Sequence, residues 1–424
     1  MLSNRGGAPK PKSVIPPLSR DAAHDLYTAP PLSHREAAAS QRDQAVAGSP
    51  SHRAKSTEVK IYSDLLTDRS SSLTDKLKAA TELGNQALDA DAKEDIGDVG
   101  GNIAALITLA SSKHSEQAKE RAAGALRNLA VESWKNKELI GVAGGIPPLV
   151  AIAEKGTTEA QIDFSVGALA SLALDADNKK LIAEANGIPV LVRLVDCGST
   201  AAIQTLSAVA LGNLTSNEVG SKGKNNKMLI NEAGGIPPLV ELAKSGTMEQ
   251  REAAVGALWN LAFNDANKTS IAQAGGIPPL LDLVRGGTAR QREQAAGALA
   301  NLTVDEDNRS RVVGAGGIAA LVPLMTGGQT ERQRSFAHAC LSNLAIDQFI
   351  KAKIVAVASS GSETQRAREF VSKCWSKGEL EVDEAVIQAK IHEMALGETP
   401  AAAPATSAPA PPKEDAGANV VDVQ

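Results

Sequence analysis

The chain has 424 residues, with 44 Lys plus Arg against 49 Asp plus Glu, and this balanced charge excludes a sequence-independent grip on nucleic acid as the main role. Aromatic residues make up 2% of it, too few for a core built on bulky rings, so Leu, Ile, Val and Ala must be buried in thin layers. Cys197, Cys340 and Cys374 are too widely spaced for a disulfide framework or a metal set, and no apolar run approaches the roughly 20 residues of a membrane helix.

Residues 1–56 hold Pro9, Pro11, Pro16, Pro17, Pro30, Pro31 and Pro50 among Ser, Ala and charge, and read as a disordered arm. Its start carries Arg5, Lys10, Lys12 and Arg20 but no apolar block, which excludes a secretory signal. Leu2 stands where N-terminal myristoylation needs Gly, and no cysteine precedes Cys197, so direct membrane insertion or N-terminal acylation is not expected. Residues 57–72 read as a linker or docking segment, with TEVKIYSDLL suited to a short helix.

From residue 73 to 376 the dominant signal is internal repetition. GGIPPLV at 144–150 recurs as NGIPVLV at 186–192, GGIPPLV at 234–240, GGIPPLL at 275–281 and GGIAALV at 316–322, with a degenerate GGNIAALI at 100–107. Their isoleucines, Ile103, Ile146, Ile188, Ile236, Ile277 and Ile318, are 43, 42, 48, 41 and 41 residues apart, a helical-solenoid period. A second motif keeps phase with the first: AAGALRNLA at 122–130, SVGALASLA at 165–173, SAVALGNLT at 207–215, AAVGALWNLAF at 253–263, AAGALANLT at 295–303 and AHACLSNLA at 337–345. Two motifs in phase predict about seven units of three helices each.

Residues 264–303 show how one unit is written. Asn264 or Asp265 caps a short first helix, and Gly275 and Gly276 end it, glycine tolerating the left-handed conformation at a helix C-terminus. Pro278 and Pro279 sit in the first turn of the second helix, where a missing N–H costs nothing. Gly286 and Gly287 end that helix, and Thr288 caps the third, whose Ala295, Ala298, Leu299 and Leu302 share one face. One unit departs from the pattern: Asn213 to Asn226 spans 13 residues where Asn260 to Asn267 spans 7, and the insertion carries Lys222 and Lys224 in a basic loop that reads equally as a partner contact or a neutral insertion. Beyond the repeats, residues 377–395 predict a capping helix and 396–424 a Pro/Ala-rich tail that cannot pack.

With its GGIPPLV and ALxNLA copies and the Asn136-Lys137, Asn178-Lys179, Asn226-Lys227 and Asn267-Lys268 pairs, the chain resembles the armadillo-repeat family, in the flavour of the vacuolar protein 8 type. The resemblance implies an all-α, right-handed superhelical solenoid whose third helices line a concave surface that binds extended peptides or helices of other proteins. Nuclear-import adaptors of the family carry a Trp four residues before the third-helix Asn; here those positions are Gly124, Gly167, Val209, Gly256, Gly297 and Ala339, which counts against import-signal recognition. Trp259, one residue before Asn260, belongs to a different face of its helix.

The candidate partner-binding residues are therefore Asn128, Ser171, Asn213, Asn260, Asn301 and Asn343 along the third helices, with Arg251, Arg292, His338, Lys222 and Lys224 beside them. A ladder amide can pair with both N–H and C=O of a ligand backbone, or it can bond a neighbouring segment and lock the stack. No phosphate loop, dinucleotide fingerprint or zinc-protease string is present, so neither a catalytic set nor a cofactor is expected. The expected role is a non-catalytic, cytoplasmic protein-binding adaptor or scaffold, reaching the nucleus or a membrane only through partners. A structural subunit of a cytoskeletal or ciliary assembly and a nuclear transport adaptor are the alternatives.

Overall fold

The computed structural model describes residues 50–216 and 225–346, with isolated helical positions at 350, 351, 354 and 357, and side chains from residue 57 onward. These residues lie in the compact unit that ends at Ser376. The arm up to residue 49, Lys222, Lys224, the 377–395 capping helix and the 396–424 tail lie outside the described residues.

The described residues are helical, with no strand among them, and form a right-handed solenoid of six complete three-helix units. Ahead of the units come α1 (Pro50–Thr67) and α2 (Leu73–Gln86). The units are α3–α5 (Ala90–Asp98, Asn102–Ala110, Glu116–Ala130), α6–α8 (Trp134–Val142, Ile146–Lys155, Glu159–Leu172) and α9–α11 (Ala176–Glu184, Gly187–Cys197, Ala201–Thr215). They continue as α12–α14 (Asn226–Glu232, Ile236–Ser245, Met248–Leu261), α15–α17 (Asp265–Gln273, Ile277–Gly286, Ala289–Leu302) and α18–α20 (Glu306–Gly314, Gly317–Gly327, Glu331–Leu344). Each third helix packs on its own second helix and on the third helices before and after it.

Local sequence dictates where each helix starts. Ser115, Thr158, Thr200, Thr247, Thr288 and Thr330 cap the third helices, each hydroxyl accepting from the backbone N–H three residues on. Thr247–Gln250 and Thr288–Gln291 complete reciprocal capping boxes. Among the first helices, Asn264, not Asp265, is the cap of α15.

The glycine pairs work differently from the sequence expectation. From the second unit on, only the first residue of the pair is left-handed: φ is +78° at Gly144, +61° at Asn186, +76° at Gly234, +77° at Gly275 and +78° at Gly316, whereas in the first unit it is the second glycine, Gly101, at +103°. At Gly145, Gly235 and Gly276 the second glycine, expected to share that conformation, is ordinary right-handed backbone; Gly276 has φ −71°. Its N–H bonds back to Ile271 O at 2.9 Å, which closes the end of α15 and draws the chain so close that a Cβ on Gly276 would lie 2.7 Å from Ile271 Cγ2. Gly287 is not left-handed either; it is extended, at φ −75° and ψ 172°.

Ahead of the first unit there is no three-helix unit among the described residues; α2 packs on α5, and α1 covers the rest of that edge. Val59 and Leu66 are buried there, and Asn102 Nδ2 donates to Ser63 Oγ at 2.9 Å. This helix begins at Pro50, so the arm boundary expected at residue 56 falls inside it, and of the segment expected at 57–72 it takes in residues 57–67.

Three sets of hydrogen bonds, none of them present in every unit, tie successive units together. Third-helix glutamines reach back across the starts of the helices: Gln161, Gln291 and Gln333 donate to Glu116 O, Met248 O and Ala289 O. First-helix asparagines reach back and inward at once: Asn136 Nδ2 donates to Lys93 O and Leu129 O, Asn267 Nδ2 to Lys227 O and Leu261 O, and Asn308 Nδ2 to Lys268 O and Leu302 O. These Asn-Lys positions, noted in the sequence only as marks of resemblance, are buried rungs; Asn136 and Asn267 are 0% exposed. Asn267→Ala is expected to remove both bonds of this buried rung and cost about 1–3 kcal/mol. A urea titration followed by helical circular dichroism reads this as a lower midpoint, and an unchanged midpoint would refute the rung.

Candidate peptide-binding groove

The third-helix ladder forms the third set of rungs. Asn128 Nδ2 donates to Gly84 O at 2.9 Å, Asn213 Nδ2 to Ala170 O at 2.8 Å, Asn260 Nδ2 to Gly212 O at 3.1 Å and Asn343 Nδ2 to Ala300 O at 3.0 Å. Each acceptor lies in the last turn of the preceding third helix or, for Gly84, of α2, where carbonyls have no i+4 N–H partner; Gly212 O and Ala300 O also accept from Thr215 Oγ1 and Thr303 Oγ1. The locking role is therefore present at these four positions. Ser171 is too short to reach across and donates to Gly167 O of its own helix at 3.2 Å.

Asn301 differs. It is 1% exposed, and neither Oδ1 nor Nδ2 has a hydrogen-bond partner. Gln294, on the same face seven residues earlier, is also 1% exposed with both amide atoms unpartnered. Trp259 Nε1 and Asn213 Oδ1 are buried and unpartnered as well. Among the described residues these buried polar atoms of the third helices therefore form a strip that the stack itself does not hydrogen-bond.

At the position where an import adaptor would place Trp, glycine lets a neighbouring unit lay a large side chain across the helix. A Cβ at Gly297 would lie 2.6 Å from Trp259 Cε2, one at Gly167 2.7 Å from Arg127 Nε, and one at Gly124 3.3 Å from Phe164 Cδ2. Trp259 continues past Gly297 to meet Phe336 edge-on, with ring centroids 5.1 Å apart and planes at 73°. Sequence reasoning set Trp259 aside as belonging to another face; what it missed is that the indole crosses to the next helix, and the glycine at 297 is the signal that admits it.

The other predicted residues are not gathered into this strip. Arg251 and Arg292 lie nine residues before Asn260 and Asn301, which at about 100° per residue is half a turn away. Both are half-buried, and each has a buried Nε without a partner. His338 is exposed, with Nδ1 3.5 Å from Ser342 Oγ on the same helix, and at five residues before Asn343 it is also rotated off the ladder face. Cys340 is buried, and burial pushes its thiol up to about 12, far from a reactive thiolate. Among the described residues no group of three or more His, Cys, Asp or Glu is placed to hold a metal ion, and no single helix is long and apolar enough to cross a membrane.

Residues 175–216, 223–263 and 264–304, the third to fifth units, match the armadillo/beta-catenin-like repeat. Solved structures share the architecture: an engineered protein superposes with a TM-score of 0.66 at 24% identity, over 85% of this chain and 95% of its own. Computationally designed armadillo repeat proteins for modular peptide recognition superpose at 0.52 and 24%, over 57% of this chain and 99% of theirs. A designed armadillo repeat protein in complex with the peptide (KR)4 superposes at 0.51 and 23%, over 57% and 99%. No curated protein matches the chain.

Proposed function

From a solenoid that carries the armadillo repeat, we propose that the chain is a non-catalytic adaptor or scaffold that binds extended segments of partner proteins along its concave face. Asn301 carries the proposal. Of the ladder asparagines, it is the one whose amide makes no hydrogen bond within the described residues, so neither its donor nor its acceptor is consumed by the stack. Designed proteins of the same fold that recognise peptides support the reading. The GGIPPLV strings and Asn-Lys pairs support a place near the vacuolar protein 8 type. A cytoplasmic location is part of the proposal; Cys197 and Cys340 are free thiols, which suits a reducing compartment.

Because Asn260 and Asn343 also hold the stack, a variant at Asn301 separates binding from folding. The full chain, immobilised in a native extract, is expected to retain specific partners, and Asn301→Ala to weaken the strongest of them about tenfold, equivalent to ~1.4 kcal/mol, without lowering the melting temperature. Asp282→Ala, on the exposed side of α16, is expected to change nothing. Partners lost with Asp282→Ala and retained by Asn301→Ala would refute the groove.

A further inference from the structure

The concave face uses its own cations. Arg127 Nη1 reaches Asp163 Oδ2 of the following unit at 2.9 Å, Arg290 Nε reaches Glu252 of the preceding unit at 3.1 Å, and Arg332 Nη1 reaches Glu293 of the preceding unit at 3.1 Å. Asp163, Glu252 and Glu293 occupy one register, eight residues before Ser171, Asn260 and Asn301. In that register Glu120 accepts from Thr158 Oγ1 at 3.1 Å, and nearer the helix start Glu249 accepts from Thr247 Oγ1 at 3.0 Å. The aromatic rings are covered in the same way. The Arg332 guanidinium stands 6.0 Å from the Trp259 ring centroid and 5.7 Å from that of Phe336, and Arg127 stands 5.9 Å from Phe164.

A Lys- or Arg-rich peptide is held by carboxylates and by aromatic faces. Here three of the carboxylates and all three of these rings already hold a guanidinium from the same chain. On the ladder side of the third helices the unpartnered groups are uncharged: the amides of Gln294 and Asn301, spaced so that both face the same way from α17, and the Trp259 N–H across Gly297; the unpartnered Nε atoms of Arg251 and Arg292 lie half a turn away. We propose that this strip anchors a neutral-to-acidic extended segment of a partner protein, through its main-chain N–H and C=O groups, and discriminates against basic segments. The proposal rests on the peptide-groove reading and adds the charge class of the ligand.

The test uses the full chain, a display library of random peptides and fluorescently labelled (KR)4. Enriched peptides are expected to have zero or negative net charge. Gln294→Ala with Asn301→Ala is expected to weaken them about tenfold or more, at unchanged helicity and melting. Arg290→Ala with Arg332→Ala frees Glu252 and Glu293 and is expected to raise affinity for (KR)4 about tenfold, a gain that general damage to the fold does not produce. Enrichment of Lys- or Arg-rich peptides by the unaltered chain would overturn the charge assignment while leaving the groove reading intact. Indifference of the enriched peptides to Gln294 and Asn301, or of (KR)4 to the arginine pair, would overturn it too. If no peptide of any charge is enriched, the groove reading fails and takes this one with it.

Discussion

Trp259→Ala is expected to destabilise the solenoid by about 3–5 kcal/mol, the cost of truncating a large buried ring and leaving a cavity. The indole is 1% exposed, lies on Gly297 of the next unit and meets Phe336 of the unit beyond. One residue thus packs against three consecutive third helices, whereas most side chains in a solenoid touch only adjacent units. Removing it also leaves Arg332 without one of its two rings. Trp259→Phe keeps an aromatic body against Gly297 and should cost less, about 1–3 kcal/mol. Hydrogen exchange is the informative measurement. Protection should fall across α14, α17 and α20 and remain in α5 and α8, because coupling in a repeat array decays with distance. Equal loss in every unit, or a midpoint shift below that of an exposed-site control, would contradict the bridging role.

Gly276→Val is expected to cost several kcal/mol, and the reason is contact, not backbone handedness. At φ −71° any residue is comfortable, but the added Cβ would lie 2.7 Å from Ile271 Cγ2, 2.9 Å from Ile271 O and 3.2 Å from Val240 Cγ2. The carbonyl cannot retreat, because it accepts the Gly276 N–H in the turn that ends α15. Two companion variants separate the causes. Gly275→Ala has open space but a φ of +77°, so it should cost only the left-handed penalty, about 1–2 kcal/mol. Gly286→Ala has open space and no positive φ, and should be neutral or stabilising by up to about 1 kcal/mol. Urea midpoints should therefore fall in the order Gly286→Ala, Gly275→Ala, Gly276→Val, and a reversal of the last two would return the explanation to backbone strain.

Most of what contacts within a few residues set was legible in the sequence, the backbone conformation of Gly276 being an exception. Thr288 caps α17, Pro278 and Pro279 enter the first turn of α16, and the face of Ala295, Ala298, Leu299 and Leu302 is buried, because caps, proline geometry and helical periodicity act over one or two turns. The period of the two motifs carried the repeat architecture for the same reason: each unit is written locally and copied. Contacts between residues some 40 positions apart had no such local sign. Which atom of Asn260 is consumed by Gly212 O, and why Asn301 is left with neither atom bonded, depends on how far one unit is rotated on the next. The placing of Arg251 and Arg292 half a turn from the ladder follows from helix geometry that residue spacing already contained, once the third-helix face toward the groove is known. Stacking alone decided that Gly297 is the floor beneath Trp259 and that Glu252 and Glu293 face guanidiniums from the next unit, since those pairs exist only when two separately written segments are brought into register.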